Sequence, residues 1–235
     1  MRILNKVVKW TVKLAKQYTG GGPTRVSKMP EYSYNLSAHD CNVGQKLVEI
    51  DNSVCSDCYA LKGRYTAFAK TILPAQRRRL ESLTNREWAP AMAYLIKHYD
   101  VEYFRWHASG DLQDLHHLIK IGLVAYNTPD TKHWLPTREY GIVRQYLSHV
   151  GQFPKNLSIR ISAHFINKTA PNIGGLPITS VVEDHSVKNM NKLGMGSYHV
   201  CPAGQQGGQC DGVENGGVNC RQCWTNNIPV AYPIH

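Results

Sequence analysis

The sequence predicts an α/β fold, in which a barrel-like parallel sheet (a partial or distorted TIM-type barrel) with crossover helices is combined with a cysteine-rich, irregular C-terminal segment. Three observations lead to this prediction. Strand-like and helix-like patterns alternate from residue 101 onward, as in parallel βαβ units. Polar residues follow successive strands, where such folds bind ligands. The 235 residues, 42% of them hydrophobic, suit a domain with a substantial core.

Residues 1–22 are predicted to form an amphipathic basic helix and a glycine-rich joint. Apolar residues at helical spacing are set against lysines, namely Ile3, Leu4, Val7, Val8, Leu14, Ala15 and Tyr18 against Lys6, Lys9, Lys13 and Lys16. Three glycines at 20–22 and Pro23 end the helix. The pattern favours a helix packed on the domain, with a membrane-surface or nucleic-acid contact as the alternative. Residues 23–235 are predicted to be one domain.

The remaining elements follow in order along the chain. Helical patterns are expected from about residue 60 to 83 and over 86–98. Aromatic and β-branched residues then predict a strand at 101–107. Further along, strands are predicted at 132–137, 157–162 and 178–182, and helices at 111–125 and 139–148.

Polar side chains stand at the carboxyl ends of these strands. They are His107, Ser109 and Asp111, then Thr137 and Arg138, then Ser162 and His164, then Glu183, Asp184 and His185. Because the carboxyl ends of parallel strands share one edge, we predict a pocket there with His107, Ser109, Asp111, Arg138 and His164 as candidate catalytic residues. Arg138 is a candidate anion holder. Helix capping is the alternative for Asp111, and a hydrogen-bonded core position is the alternative for the two histidines.

Seven cysteines form two groups at opposite ends of the chain. The early triad is Cys41, Cys55 and Cys58, and the late group is Cys201, Cys210, Cys220 and Cys223. Each group contains a C-x-x-C pair, which directs two soft sulfur ligands to one centre. An odd cysteine count without a signal peptide argues against a disulfide framework. We therefore predict that all seven are metal ligands.

The spacing leaves open how the cysteines divide. The late group is local and lies in a Gly-, Asn- and Gln-rich segment that a metal would order. The early triad leaves one coordination position for a histidine, water or substrate. In the rival arrangement, early and late cysteines share one cluster, for example Cys41, Cys55, Cys58 and Cys201, and the other thiols are structural.

The chain is strongly basic, with 27 Lys and Arg against 17 Asp and Glu and a formal net charge of +10. Such a surface attracts nucleic acid or another anionic ligand without indicating which. Arg77, Arg78 and Arg79 form the densest stretch, and a solvated helix face is favoured over a phosphate-binding patch. No apolar run approaches the ~18 residues of a membrane span, so a soluble protein in the reducing cytoplasm is expected.

A series of motifs resembles the bacteriophage gene product 88 family. The motifs are KMPEYSYNL at 28–36, CSDCYALKGRY at 55–65, RWHASGDL at 105–112, PTREY at 136–140, SAHF at 162–165, CPA at 201–203 and CRQCW at 220–224. The resemblance runs from about residue 28 to the C-terminus. It implies a phage protein, in the cytoplasm of an infected bacterial host, with a cysteine-ligated centre. It implies no known reaction.

Three hypotheses follow. The first is an iron–sulfur protein with a pocket at the strand ends; the resemblance and the incomplete triad favour a 4Fe–4S cluster over zinc. The second is a zinc-stabilised module that binds nucleic acid through its basic surface. The third is a hydrolase or transferase that uses the strand-end residues and has a structural metal.

Overall fold

The computed structural model describes residues 8–213 and 216–234 and contains a mixed α/β fold around one eight-stranded sheet. The strands run in the order β1-β2-β3-β4-β5-β6-β8-β7, and every neighbouring pair is parallel except β1 and β2. The strands are β1 (Thr24–Arg25), β2 (Tyr32–Tyr34), β3 (Tyr103–Trp106), β4 (Lys132–Thr137), β5 (Leu157–Ser162), β6 (Ile178–Val182), β7 (His199–Val200) and β8 (Val230–Pro233).

The expected parallel sheet is confirmed, but the described strands do not close it into a barrel. Its edges are β1 and β7, which are not paired with each other. Both edge strands are two residues long, and β1 runs antiparallel to its neighbour. Two such short strands offer too few backbone groups to complete a ring of parallel pairs.

Eight α-helices are present in the described ranges. They are α1 (Val12–Tyr18), α2 (Asn42–Val48), α3 (Arg64–Ala67), α4 (Ala69–Ser82), α5 (Trp88–His98), α6 (Leu115–Asn127), α7 (Tyr140–His149) and α8 (Val187–Lys192). The long helix predicted from residue 60 to 83 is divided into a 3-10 turn, α3 and α4. Gly63 starts α3 from a positive φ of 57°, and Phe68 separates α3 from α4. The other predicted helices correspond to α5, α6 and α7. Their bounds differ by two residues at the start of α5, by four and two residues at the two ends of α6, and by one residue at each end of α7.

One face of the sheet packs against α5, α6 and α7 and forms the main core. Alternate strand residues point to this face and are fully buried, including Tyr34, Phe104, Trp106, Leu135, Ile159 and Ile161. From the helices they meet Trp88 and Met92 of α5, Leu118 and Ile121 of α6 and Val143 of α7. Such alternation is expected for strands of a sheet whose two faces have different surroundings.

The opposite face is covered by the C-terminal segment. Trp134 of β4 packs there with Cys223 and Trp224. The Trp224 indole donates to the carbonyl of Phe104 at 3.1 Å. Arg160 of β5 points to the same face, is 0% exposed and donates to backbone carbonyls of the C-terminal segment. The sheet therefore separates a helical layer from a cysteine-rich layer.

The N-terminal helix packs on the domain. In α1, Ala15 lies against Ala91 and Leu95 of α5, while the part of the predicted helix in residues 1–7 lies outside the described residues. Gly20 has φ of 63°, and a Cβ atom there would lie 2.3 Å from the carbonyl oxygen of Arg78, so only glycine fits this approach to α4. Arg79 is buried over the Tyr34 ring, which corrects the expectation of a solvated three-arginine face.

Candidate metal centre

The three early cysteines come together at the carboxyl edge of the sheet. Burial raises the pKa of Cys41. The charges of Asp111, Cys55 and Cys58 raise this pKa further, and the charge of Arg138 lowers it. The pKa of Cys55 is raised by burial, lowered by Arg138 and raised by Cys58 and Asp111. The amide of Cys58 donates to the carbonyl of Cys55 at 3.1 Å, so these two cysteines share one turn, and the charges of Asp111 and Arg138 act on both Cys41 and Cys55. We call Cys41, Cys55 and Cys58 the triad.

Gly44 leaves space between two of the triad sulfurs. A Cβ atom at Gly44 would lie 2.8 Å from the Cβ of Cys41, 3.4 Å from its Sγ and 3.9 Å from the Sγ of Cys55. Gly44 is in the first turn of α2, where a glycine has no conformational advantage. The absence of a side chain at Gly44 therefore leaves space beside the sulfurs of Cys41 and Cys55.

Two sets of backbone contacts hold the triad against the sheet. Val43, at the start of α2, donates its amide hydrogen to Oε1 of the buried Glu139 at 2.8 Å. Ahead of Cys55, the amide of Val54 donates to the carbonyl of His164 at 2.9 Å, and Ser53 forms an antiparallel bridge with Phe165. Residues that follow β4 and β5 thus fix both parts of the triad.

Asp111 and Arg138 lie beside the triad. The buried Asp111 carboxylate accepts hydrogen bonds from the Thr137 hydroxyl at 2.6 Å, the Arg138 amide at 2.9 Å and the Leu112 amide at 2.7 Å. Burial raises the pKa of Asp111, while these three donors lower it. The cap of α6 is Asp114 and not Asp111, so the capping alternative for Asp111 is wrong. Asp111 instead ties the end of β4 to the loop after β3.

His164 borders the same edge. Its ring stacks on Tyr140 with centroids 4.2 Å apart, and its Nε2 lies 3.2 Å from the carbonyl oxygen of Arg138. The guanidinium Nε of Arg138 donates to the carbonyl of Ala163 at 3.2 Å. Three of the five predicted strand-end residues, Asp111, Arg138 and His164, are therefore adjacent to one another.

The other two, His107 and Ser109, are directed elsewhere. His107 has φ of 56° and turns its buried ring toward His117 of α6, with centroids 5.2 Å apart. Neither ring nitrogen of His107 has a hydrogen-bond partner among the described residues. The Ser109 hydroxyl donates to the carbonyl of Leu36 at 2.8 Å and accepts from Gln76 at 3.0 Å. Their positions are those of core contacts between the loop after β3 and neighbouring elements.

The late group lies apart from the triad, on the sheet face opposite the helices. Burial raises the pKa of Cys210 to about 11, and Cys201 and Cys220 are among its neighbouring influences. Burial also raises the pKa of Cys223 to about 12, with Cys201 and Cys210 again nearby. None of the seven cysteines is in a disulfide.

In the described ranges, no three His, Cys, Asp or Glu side chains stand close enough to ligate one metal ion directly. A tetrahedral zinc site with bonds of about 2.3 Å keeps its sulfurs only about 3.8 Å apart. A cluster of several iron and sulfide atoms is larger and separates its cysteine ligands further. The donor set of the triad, three thiols of which two flank the space at Gly44, fits a cluster better than one ion.

Fold and site together define a mixed α/β protein whose mostly parallel sheet carries three converging cysteines at its carboxyl edge. The chain belongs to the Gene product 88 family, whose model matches residues 6–226. The family resemblance drawn from the motifs is thereby confirmed. No curated protein and no solved structure matches the chain. No helix in the described part of the chain is long and apolar enough to span a membrane.

Sequence reasoning missed several residues that organise the site. Gly44, Glu139 and Arg160 were not singled out, although each has a signal in retrospect. Arg160 is the one cation of the alternating strand LSIRIS at 157–162, where serines occupy the other polar positions, and Glu139 lies within the PTREY motif. Gly44 follows Cys41 at helical spacing, which places it on the same side of the helix as the cysteine.

Proposed function

We propose that this chain is an iron–sulfur protein of a phage, in which Cys41, Cys55 and Cys58 bind a 4Fe–4S cluster beside Asp111, Arg138 and His164. The observation that carries the proposal is that Gly44 lies beside the sulfurs of both Cys41 and Cys55, that Cys58 shares a turn with Cys55, and that this turn is held at the carboxyl edge of a parallel sheet. Three protein ligands leave one position for an exogenous ligand, and this edge is where such sheets bind ligands.

The charges around the triad support a metal centre. Thiols buried with raised pKa values are costly to ionise alone, but binding of a metal replaces their protons and stabilises the thiolates. Arg138 adds a positive charge next to Cys55 and Asp111. The positive charge of Arg138 therefore interacts both with the cysteine ligands and with an anion that binds at the open position.

We further propose that the sheet is an open arc of a barrel. Strands β2 to β6 are adjacent in sequence order, and α5, α6 and α7 connect or precede them on one face. A sheet with sequential parallel strands and helices on a single face has the arrangement of part of a (β/α) barrel. The reducing cytoplasm of the infected host is the compartment that suits seven unpaired cysteines.

The proposal is tested on protein purified without oxygen. We expect a broad absorption band near 400 nm with matched iron and sulfide, and we expect Cys55→Ala and Cys58→Ala to abolish the part of this absorption that the triad supplies. Ser56→Ala, an exposed change in the same turn, and Asp111→Asn are expected to keep the cluster.

Full absorbance in both cysteine variants would overturn the assignment of the triad. A colourless protein with stoichiometric zinc would favour instead the zinc module that binds nucleic acid through the +10 surface. In that case oligonucleotide affinity is expected to fall steeply with salt.

A further inference from the structure

We propose that Cys201, Cys210, Cys220 and Cys223 form a second metal centre, separate from the triad and closed by four thiolates, which fastens the C-terminal segment to the sheet. The proposal does not rest on the function assigned to the triad. It commits to an iron–sulfur cluster, because thiolates select thiophilic metals over hard cations and because, among the described residues, no three of the ligand side chains stand close enough to hold a single ion.

The backbone brings the four cysteines together from separate parts of the segment. Cys201 follows β7 and donates its amide hydrogen to the carbonyl of Ala231 in β8 at 2.8 Å. The amide of Cys220 donates to the carbonyl of Cys210 at 3.0 Å, next to the antiparallel bridge of Asp211 and Asn219. Cys223 lies in the 3-10 turn Gln222–Trp224, directly after this hairpin-like loop.

A buried arginine indicates that the group carries negative charge. Arg160 is 0% exposed, and no carboxylate of the described residues lies within 4.0 Å of it. Its guanidinium donates to four carbonyls of the segment: Cys223 at 3.0 Å, Gln222 and Thr225 at 2.7 Å, and Ile228 at 3.0 Å. A buried cation is costly unless an anion compensates it. Four thiolates around a dication carry two negative charges and lie on this same side of the sheet.

Further donors surround the sulfurs. The Sγ of Cys223 lies 3.1 Å from the hydroxyl of Tyr232, and the Sγ of Cys220 lies 3.3 Å from Nε2 of His199. Arg105, whose guanidinium is stacked 4.4 Å from the Trp134 ring centroid, is near Cys210. Hydrogen bonds and cations of this kind surround metal-bound thiolates in proteins.

Residues 204–219 have little apolar material to order them. The buried apolar contacts of the segment with the sheet come from Cys223 and Trp224, while residues 204–219 contain six glycines and are linked by hydrogen bonds of Gln206 to Gln209 and Val218. Glycine-rich chain loses much conformational entropy when it is fixed, and a metal held by four ligands offsets that loss.

Two centres, and not one shared cluster, are favoured by the different parts of the sheet that hold the two groups. The triad is held by residues that follow β4 and β5, through the contacts of Val43 with Glu139 and of Val54 with His164. The late group is held at β8, where the amide of Cys201 donates to the carbonyl of Ala231 and the Sγ of Cys223 lies 3.1 Å from the hydroxyl of Tyr232.

The test removes each group separately and counts metal and sulfide in the full chain. In Cys41→Ala/Cys55→Ala/Cys58→Ala, we expect one four-thiolate centre per chain to remain. In Cys210→Ser/Cys220→Ser, we expect that centre to be lost and the segment 201–229 to become sensitive to limited proteolysis, while any cluster in the triad is kept. Acid-labile sulfide that matches iron in the triple variant identifies this centre as a cluster, whereas zinc without sulfide contradicts the proposal.

The proposal is overturned if the triple variant contains no metal, because the groups would then share one centre, or if the double variant has the metal content of the wild type. A second measurement covers the case in which the double variant does not fold. The triple variant is stripped with a chelator and reconstituted with iron and sulfide without oxygen, and a broad absorption band near 400 nm with matched iron and sulfide is expected. Absence of that absorption in folded triple variant contradicts the proposal.

Discussion

At the scale of single residues, the space beside the triad depends on the absence of a Cβ atom at Gly44. The first turn of α2 has Cys41 at its N-cap and Gly44 one turn further, and no side chain fills the space between Cys41 and Cys55. A methyl group there would meet a cysteine carbon at 2.8 Å, closer than carbon atoms pack without a shift of one of them.

We therefore predict that Gly44→Ala lowers the triad's share of the iron and sulfide severalfold without unfolding the protein. The intrinsic helix propensity of alanine favours folding by up to about 1 kcal/mol, so a loss of cluster would come from occupied space and not from a weaker helix. Iron and sulfide analysis together with urea unfolding measures both effects. Gly141→Ala is the matched control, because Gly141 also starts a helix and a Cβ atom there would meet nothing within 4 Å. Equal cluster content in the two variants would contradict this role of Gly44.

At the scale of secondary-structure elements, α2 is coupled to α7 through Glu139. This buried carboxylate precedes α7 and accepts a hydrogen bond from the amide of Val43 in the first turn of α2. Glu139 thus connects the end of β4 to α2, the helix that begins next to Cys41.

We predict that Glu139→Ala destabilises the protein by about 1–3 kcal/mol and weakens cluster retention, because it leaves the Val43 amide without its acceptor. Glu139→Gln keeps an acceptor oxygen and should retain most of the stability and the cluster. Urea unfolding and the rate of iron loss to a chelator measure the two effects. Alanine and glutamine variants that both behave as the wild type would show that α2 is held by other contacts.

The elements also show which parts of the fold can be predicted from sequence. Strands 132–137, 157–162 and 178–182 are predicted at their observed bounds, because each is a buried run that forms from its own residues and neighbouring strands. Strands β1, β2, β7 and β8 have two to four residues and were not predicted. Their pairing depends on distant strands, as when β8 inserts between β6 and β7, and no local pattern contains that information.

The site was predicted in part for the same reason. C-x-x-C spacing is local, so two groups of cysteines can be recognised along the chain, while the spacing leaves open whether they share one centre. Parallel strand order predicts that the strand ends share one edge, and Arg138 there contacts both Asp111 and His164. The direction of His107 was not readable, because it depends on a positive φ in the loop after β3. One reversed backbone torsion moves this ring from the strand-end site to the helical core.

At the scale of the whole molecule, the sheet has two different chemical environments on its two sides. The helical side encloses His107, His117 and His133 in an apolar core, where a charged imidazolium is unfavourable. The other side holds Arg105 and Arg160 among cysteines. Protonation of the histidines on the helical side is therefore expected to lower the stability of the entire sheet.

The buried histidines predict the pH dependence of stability. Burial lowers the pKa of His117 and of His133 to about 3, and the pKa of His107 also falls well below its usual value. An unfolded histidine has a pKa of about 6.5, so below that pH the unfolded chain binds more protons than the folded one. The stabilisation is complete above pH ~6.5 and is lost as the pH falls toward 3.

From pH 7 to pH 5, each such histidine is expected to cost about 2 kcal/mol of unfolding free energy. We predict that His133→Gln removes about this much of the difference, whereas His149→Gln, an exposed change, leaves it intact. Urea unfolding of the three proteins at both pH values gives the comparison, and any loss of metal at pH 5 is common to all of them. If His133→Gln kept the full pH dependence, protonation of the helical core would not be what destabilises the protein in acid.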